Sequence, residues 1–254
     1  MLWAIDVGNT QTVVGIYFDG DWRCLWRLKT DHFQTEDELA ASLSALCELD
    51  AIEFRADEMI IGSVVPGVNE TWSRFCFKWL GFDPTFLTKG EEVGLTVLYN
   101  PPHAVGADRI ANTLGGLAVA EPPLIILDFG TATTFDVISP EGHYLGGVIM
   151  PGVNVSMRAL TSSTAKLPQI ELAAPDTVIG MTTSAALQSG LVLGHAAAVD
   201  ALAAKIKREL GEPATVLATG GVGKALQDIC TCIDRYDENL TLDGLRLAAQ
   251  LLSK

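Results

Sequence analysis

The sequence predicts an α/β protein made by duplication, with two related halves that each carry a mixed sheet flanked by helices. Three observations predict it. A strand–turn–strand segment built on an Asp-x-Gly step occurs twice, at Asp6 and at Asp128, 122 residues apart. The same offset pairs the next turn of each half, Asp19-Gly20-Asp21-Trp22 with Glu141-Gly142-His143-Tyr144. Helical and strand-like stretches then alternate in both halves, which implies helices packed on a sheet.

In the first half, Leu2 to Thr12 aligns with Leu124 to Thr134, bringing Gly8 onto Gly130 and Thr12 onto Thr134. The acidic-Gly steps between apolar runs are hairpin signals. Thr35-x-x-Glu38 is a capping box and opens a helix to about Leu49, with Leu39, Leu43 and Leu46 on its apolar face. A buried-type strand follows from Met59 to Val65, ending at Pro66-Gly67, and a helix runs from about Val105 to Ala120. In the second half, Val153 to about Ala165 has helical spacing, as does a longer region from Thr182 to Leu210. Thr215 to Ala218 is strand-like and runs into Thr219-Gly220-Gly221-Val222-Gly223, and Leu242 to Leu251 is a closing helix. The domains expected are 1–118 and 119–254.

A chain of 254 residues with 48% hydrophobic and 19% charged residues has ample material for a core. Its formal charge of −14 makes it a poor partner for nucleic acid or an anionic membrane. The most apolar stretch, Leu191 to Ala204, is interrupted by His195 and Asp200 and is too short to span a bilayer. Asp6 falls where a signal peptide would be apolar, so a cytoplasmic location is expected. Five scattered cysteines, at 24, 47, 76, 230 and 232, form no disulfide framework and read as structural thiols. Trp22 and Trp26 lie on one strand and read as core or interface packing.

The two Asp-x-Gly hairpins suit phosphate. A glycine turn lets backbone N–H groups approach an anion, since no Cβ intervenes. Side chains of Asn9, Thr10, Thr12, Thr131, Thr133 and Thr134 add neutral donors. A carboxylate cannot bind phosphate directly but can hold a hydrated Mg²⁺ that bridges to it. Asp6 and Asp128 therefore make sense together, facing a common cleft that binds a nucleotide. Other phosphate motifs fail: Gly223-Lys224 is followed by Ala225, which excludes a P-loop, and no dinucleotide fingerprint or protein-kinase signature is present. The glycines of Thr219 to Gly223 can let an adenosine or ribose lie against the backbone, and serve equally as a plain strand-to-helix turn.

Two such hairpins and a late Thr-Gly-Gly turn resemble the acetate and sugar kinase/Hsp70/actin superfamily, with its duplicated ribonuclease H-like/actin-like ATPase fold. Within it, Asp6-Val-Gly-Asn-Thr10, Gly106-Ala-Asp-Arg109, Asp128-Phe-Gly-Thr-Ala-Thr-Thr134 and Gly146-Gly-Val-Ile-Met-Pro-Gly152 look like type III pantothenate kinase. So do Thr164-Ala-Lys-Leu-Pro168, Ile179-Gly-Met-Thr-Thr183 and Thr219-Gly-Gly221, in family order along nearly the whole chain. The resemblance implies ATP-dependent phosphorylation of pantothenate at its primary hydroxyl, the entry to coenzyme A, by a homodimer using Mg²⁺ and a monovalent cation, K⁺ or NH₄⁺. It implies an ATP phosphate loop of Asp6, Val7, Gly8, Asn9, Thr10, Gln11, Thr12 and Val13, with Thr131 a second nucleotide contact. Gly106, Ala107, Asp108 and Arg109 would line the pantothenate site with Tyr99 nearby, and Thr183 would reach it from the partner subunit. Asp108 would be the catalytic base, Asp128 would help bind the monovalent cation, and Asp6 would hold Mg²⁺ through water.

The residue types agree with that chemistry. Phosphoryl transfer depends on positioning and charge neutralisation more than on a strong base. Asp108, in the first turn of a helix, is expected to favour its ionised form and can accept a hydroxyl proton; taken alone it reads as a plain helix-dipole partner. Arg109 can pair with a substrate carboxylate or phosphoryl oxygen, or form a surface salt bridge. No lysine lies in the nucleotide loops, so charge must come from backbone donors and bound cations. His143 and His195 read as structural, and His103 is left unassigned. A non-catalytic nucleotide-binding regulator on the same fold is the alternative, against which stand the intact Asp6, Asp108 and Asp128. A chaperone-type or actin-like ATPase would need subdomains that this length hardly allows.

Overall fold

The structure, a computed structural model, describes residues 1–164 and 167–253. Met1–Gly115 together with the segment from Leu240 onward forms one compact unit, and Gly116–Asn239 forms another.

In the first unit, β1 (Leu2–Val7), β2 (Gln11–Phe18) and β3 (Asp21–Lys29) form an antiparallel meander, and β4 (Glu58–Ser63) joins β1 in parallel. With β5 (Thr85–Leu87) the sheet order is β3-β2-β1-β4-β5. The second unit repeats this plan. Its strands are β6 (Leu124–Phe129), β7 (Ala132–Ile138), β8 (Tyr144–Pro151), β9 (Thr215–Thr219) and β10 (Arg235–Tyr236), in the order β10-β9-β6-β7-β8. β6 occupies the residues expected from shifting β1 by the repeat offset. Each meander also has a register shift late in its second strand, at Ile16/Tyr17 and at Val137/Ile138.

Strand alternation decides the faces. Trp3, Ile5 and Val7 are buried with α1 (Glu36–Leu49) and α2 (Pro66–Phe75). Their counterparts Ile125, Leu127 and Phe129 are buried with α6 (Gly194–Leu210). The even positions, Asp6 and Asp128, lie on the opposite faces. On that face of the first sheet, α8 (Leu240–Leu252) rides over two glycines. A Cβ on Gly15 would sit 2.8 Å from Leu242, and one on Gly62 would sit 2.9 Å from Leu245. Chain order expected this helix in the second domain; its apolar face is instead buried on β1 and β4, so the observed grouping departs from a division after residue 118.

The local signals act as expected. Thr35 and Glu38 form the reciprocal capping box, and α1 ends at Leu49. The expected helix from Val105 is α3 (Ala107–Val119). α4 spans Val153–Ser162; the expected end near Ala165 lies outside the described residues. The region expected as one helix from Thr182 is α5 (Thr183–Gln188), a wide π turn at Ser189–Leu193, and then α6, with Gly190 and Gly194 weakening the helix at the joint. By length and composition 183–210 is long and apolar enough to cross a membrane, unlike the shorter stretch from Leu191 to Ala204 taken alone; His195, Ala196, Val199 and Ala203 on it are buried in the second unit's core. α2, β5 and β10 carry too little pattern to be predicted, and α7 (Gly223–Leu226) is a single turn after the glycine-rich stretch.

The tryptophans show what one inserted residue does. The register shift at Ile16/Tyr17 puts Trp22 and Trp26 on opposite faces. Trp26 packs edge-on against Trp3 and donates to Asp50, whereas Trp22 packs on Tyr17 and donates to Asp243 of α8. All five cysteines are free. Burial pushes the thiols of Cys24, Cys76, Cys230 and Cys232 up to about 12 and that of Cys47 up to about 11, so they are packing groups and not nucleophiles at neutral pH.

Candidate active site

The first Asp-x-Gly loop joins β1 to β2. Gly8 N–H donates to the Gln11 carbonyl at 3.0 Å and closes a tight turn that leaves Asn9, Thr10 and Gln11 exposed. Asp6 is half-buried at the carboxyl end of β1, where open α/β sheets bind ligands. Its register partner across the parallel ladder is Gly62, so both face the same side. A Cβ on Gly62 would stand 3.7 Å from the Cβ of Ala107, the first residue of α3. The start of α3, with Asp108 and Arg109, therefore lies one strand away from Asp6 on the same face of the first unit.

Asp108 is held by its own turn. Its Oδ1 accepts from the Arg109 N–H at 2.8 Å, and a Cβ on Gly106 would lie 2.5 Å from that oxygen. The carboxylate thus folds back over Gly106, and a side chain there would displace it. Burial pushes the Asp108 carboxyl above its ordinary 3.8, against the Arg109 N–H bond and the Arg109 charge, which pull it down. This corrects the expectation that the helix terminus would favour the ionised form: desolvation outweighs it. Arg109 is buried rather than at the surface. Tyr99 is half-buried. His103 and Pro102 help line a cavity of about 210 Å³ with Lys89, Glu91 and Val97, smaller than the roughly 300 Å³ at which small-molecule sites begin.

The second loop joins β6 to β7, with Gly130 N–H donating to the Ala132 carbonyl at 3.0 Å. Gly130 and Thr131 are exposed and Asp128 is half-buried at the end of β6. The glycine-rich turn after β9 packs directly on it. Gly220 has φ +93°, and a Cβ there would meet Asp128 Oδ1 at 2.5 Å and the Phe129 N at 2.6 Å. The Val222 N–H reaches the Phe129 carbonyl at 3.3 Å, and the Tyr236 hydroxyl donates to the Gly220 carbonyl at 3.1 Å. Gly152 caps the loop from the other side, its N–H donating to the Thr131 carbonyl at 3.1 Å. Asp128 and Thr131, Thr219 to Gly223, and Gly152 thus converge in the second unit from three separate stretches of sequence.

Two of the six expected side-chain donors have other work. Thr12 and Thr133 are buried. The Thr12 hydroxyl lies 2.9 Å from that of Thr30, and the Thr133 hydroxyl 3.0 Å from His195 Nε2. A hydroxyl has one proton, and these two groups brace their hairpins from inside. Thr30 and His195 are the residues that sequence reasoning did not place at the loops, because only strand register and helix packing bring them there. Thr183 is exposed at the first turn of α5, where the Thr182 hydroxyl caps the helix by accepting from Ala185 N–H at 3.1 Å. Of the Thr164–Pro168 motif, Ala165 and Lys166 lie outside the described residues. Among the described residues no cluster of three or more His, Cys, Asp or Glu gathers as a metal cage. Single carboxylates at the strand ends fit a cation that keeps most of its ligands as water and phosphate oxygen.

Two five-stranded sheets of one order, each with an Asp-x-Gly loop at the end of its first strand, define a protein of the ribonuclease H-like/actin-like ATPase fold. Solved structures agree. The chain aligns with the ROK hexokinase of Thermus thermophilus at TM-score 0.51 and 15% identity, covering 98% of each chain. It aligns with the ethanolamine utilization protein EutJ of Carboxydothermus hydrogenoformans at TM-score 0.55 and 12% identity, covering 98% of this chain and 89% of that one. At the level of sequence, residues 2–205 match the family model described as type III pantothenate kinase. A type III pantothenate kinase of Anaeromyxobacter dehalogenans (strain 2CP-C) is 43% identical over 248 residues, 97% of this chain and 98% of the relative. The chain belongs to the type III pantothenate kinase family.

Proposed function

We propose that this chain transfers the γ-phosphoryl group of ATP to the primary hydroxyl of pantothenate, forming 4'-phosphopantothenate, the first step of coenzyme A biosynthesis. The observation that carries the reading, beside family membership, is the Asp108 turn. It holds a desolvated carboxylate on the same face of the first unit as Asp6. A carboxyl raised toward the working pH is a better proton acceptor than an ordinary one. In this reading Asp108 accepts the hydroxyl proton as the new O–P bond forms, and the bond to the ADP oxygen breaks. Arg109 and Tyr99 orient pantothenate, with Gly106 and Ala107 against it. The Asp6–Val13 loop holds the ATP phosphates through its backbone donors, and Thr131 adds a contact to the nucleotide.

Asp6 would hold Mg²⁺ through water and Asp128 would help hold K⁺ or NH₄⁺, and these cations would supply the positive charge that the lysine-free loops lack. The enzyme acts as a cytoplasmic homodimer in which Thr183 of one subunit completes the pantothenate site of the other. The acidic chain has no role with nucleic acid or membrane.

The test is ADP formation by purified protein with ATP and Mg²⁺, with and without pantothenate, in K⁺, NH₄⁺ and Na⁺. Pantothenate-dependent turnover that collapses in Na⁺ supports both the substrate and the cation assignments. Absence of pantothenate-dependent turnover in every cation overturns the first and favours the non-catalytic regulator.

A further inference from the structure

Thr30 sits just past the end of β3, buried to 7% exposure, in no motif of the chain. It makes three contacts with the first Asp-x-Gly loop. Its hydroxyl donates to the Gly8 carbonyl at 2.6 Å, and its N–H donates to the Thr10 carbonyl at 3.1 Å. Since the single Thr30 hydroxyl proton goes to Gly8, the Thr12 hydroxyl is left as donor to Thr30 Oγ1, at 2.9 Å. In a trans peptide the N–H points opposite to the C=O. Pinning the carbonyls of Gly8 and Thr10 onto Thr30 therefore turns the N–H groups of Asn9 and Gln11 away from Thr30, in a stretch, Asn9 to Gln11, whose residues are exposed.

We propose that Thr30 is a positioning residue for the nucleotide: it fixes the two carbonyls that aim the Asn9 and Gln11 N–H groups at the ATP phosphates. This rests on the ATP-loop assignment above, not on pantothenate being the acceptor. A β-branched side chain suits the task because its χ1 is stiff, and a loop aimed in advance costs nothing to reorganise when charge develops. Thr30→Val keeps shape and branching but removes the hydroxyl, leaving the Gly8 carbonyl and the Thr12 hydroxyl without their partner.

The test measures kcat, KM for ATP and KM for pantothenate in wild type, Thr30→Val and Thr30→Ser. Direct ATP affinity is measured by calorimetry without pantothenate. Thr30→Val is expected to lower kcat/KM for ATP about tenfold to a hundredfold, the scale on which loss of alignment acts, with KM for pantothenate within about twofold. Thr30→Ser, which retains the donor, should recover most of the loss. If Thr30→Val does not fold, Thr30→Cys, a weak donor of similar size, carries the same comparison and should fall between Ser and the inactive limit. Unchanged ATP parameters in folded Thr30→Val, or a loss shared equally by pantothenate, overturns the proposal. Should wild type bind ATP but not turn over with pantothenate, the acceptor assignment fails, and the calorimetric comparison still decides the role of Thr30.

Discussion

The Asp108 carboxylate, the proposed base, carries a cost to stability. Its pKa in the folded chain is raised, mainly by burial. The folded state therefore holds its proton more tightly than the unfolded state, and stability falls as pH rises from 3.8 through the folded value. Asp108→Asn keeps the acceptor for Arg109 N–H but never ionises. It should abolish turnover, by at least about a hundredfold on the usual scale for a general base, while ATP affinity stays near normal. Its Tm should equal or exceed wild type at about pH 7 and lose that advantage near pH 4. Full activity in the variant would remove Asp108 from the mechanism. His195 has the opposite sign. Burial lowers its pKa below 6.5 beside Thr133, so the fold loses stability as pH falls below 6.5 and the unfolded chain takes up the proton first. In His195→Gln the melting temperature should fall less between about pH 7 and about pH 5 than in wild type; an identical slope would mean the imidazole does not titrate in the transition.

At the scale of elements, close approaches are carried by glycine. The Gly220 turn after β9 is pressed on Asp128 and Phe129 at 2.5–2.6 Å from any Cβ, and its φ of +93° is itself unfavourable for a side chain. Gly220→Ala should cost about 2–4 kcal/mol in denaturant unfolding, the range for combined strain and backbone clash. On the proposed cation assignments it should also weaken the response to K⁺ more than the affinity for Mg²⁺, because Asp128 is the group displaced. Wild-type unfolding in that variant would show that the turn relaxes freely. In the same way Gly244 of α8 faces the Ala111 carbonyl at 1.8 Å from a Cβ, and Gly115 of α3 faces the Leu240 carbonyl at 2.3 Å. These glycines let α3 and α8 cross with backbones in contact, which fixes where α3, and hence Asp108 at its start, meets the first sheet.

For the whole molecule, the proposal of a shared site has a direct test. Asp108 belongs to the first unit and Thr183 to the second, and Thr183 is proposed to act on the partner's pantothenate. Mixed dimers of Asp108→Asn with Thr183→Ala should keep one site with both residues intact and show about a quarter to a half of wild-type activity, while each homodimer is weak. Activity no higher than the homodimers, with both chains folded, would place Thr183 outside the site. The charge of −14 also bears on this scale. An acidic molecule repels ATP at long range, so its KM for ATP should fall as ionic strength rises from about 10 mM to about 150 mM, where screening shortens the field.

Sequence alone determined the parts that depend on local chemistry and on order along the chain. The repeat predicted two sheets of like topology, the Thr35 capping box placed α1, and the run of motifs pointed to the family that the comparisons then identified. These were legible because hairpin turns, caps and strand alternation are encoded within a few residues. Tertiary structure decided what depends on residues far apart. The register of β2 with β3 brings Thr30 under the Gly8 loop, and the packing of α6 puts His195 behind Thr133. The fold of β9 onto β6 seats Gly220 on Asp128. The register shift between β2 and β3, where Arg23 is left unpaired, turned Trp22 away from Trp26, and an apolar face with nowhere else to go took α8 back to the first sheet. Burial, a property of the folded chain and not of any segment, reversed the expected direction of the Asp108 pKa, because a carboxylate's charge is costly wherever water is excluded.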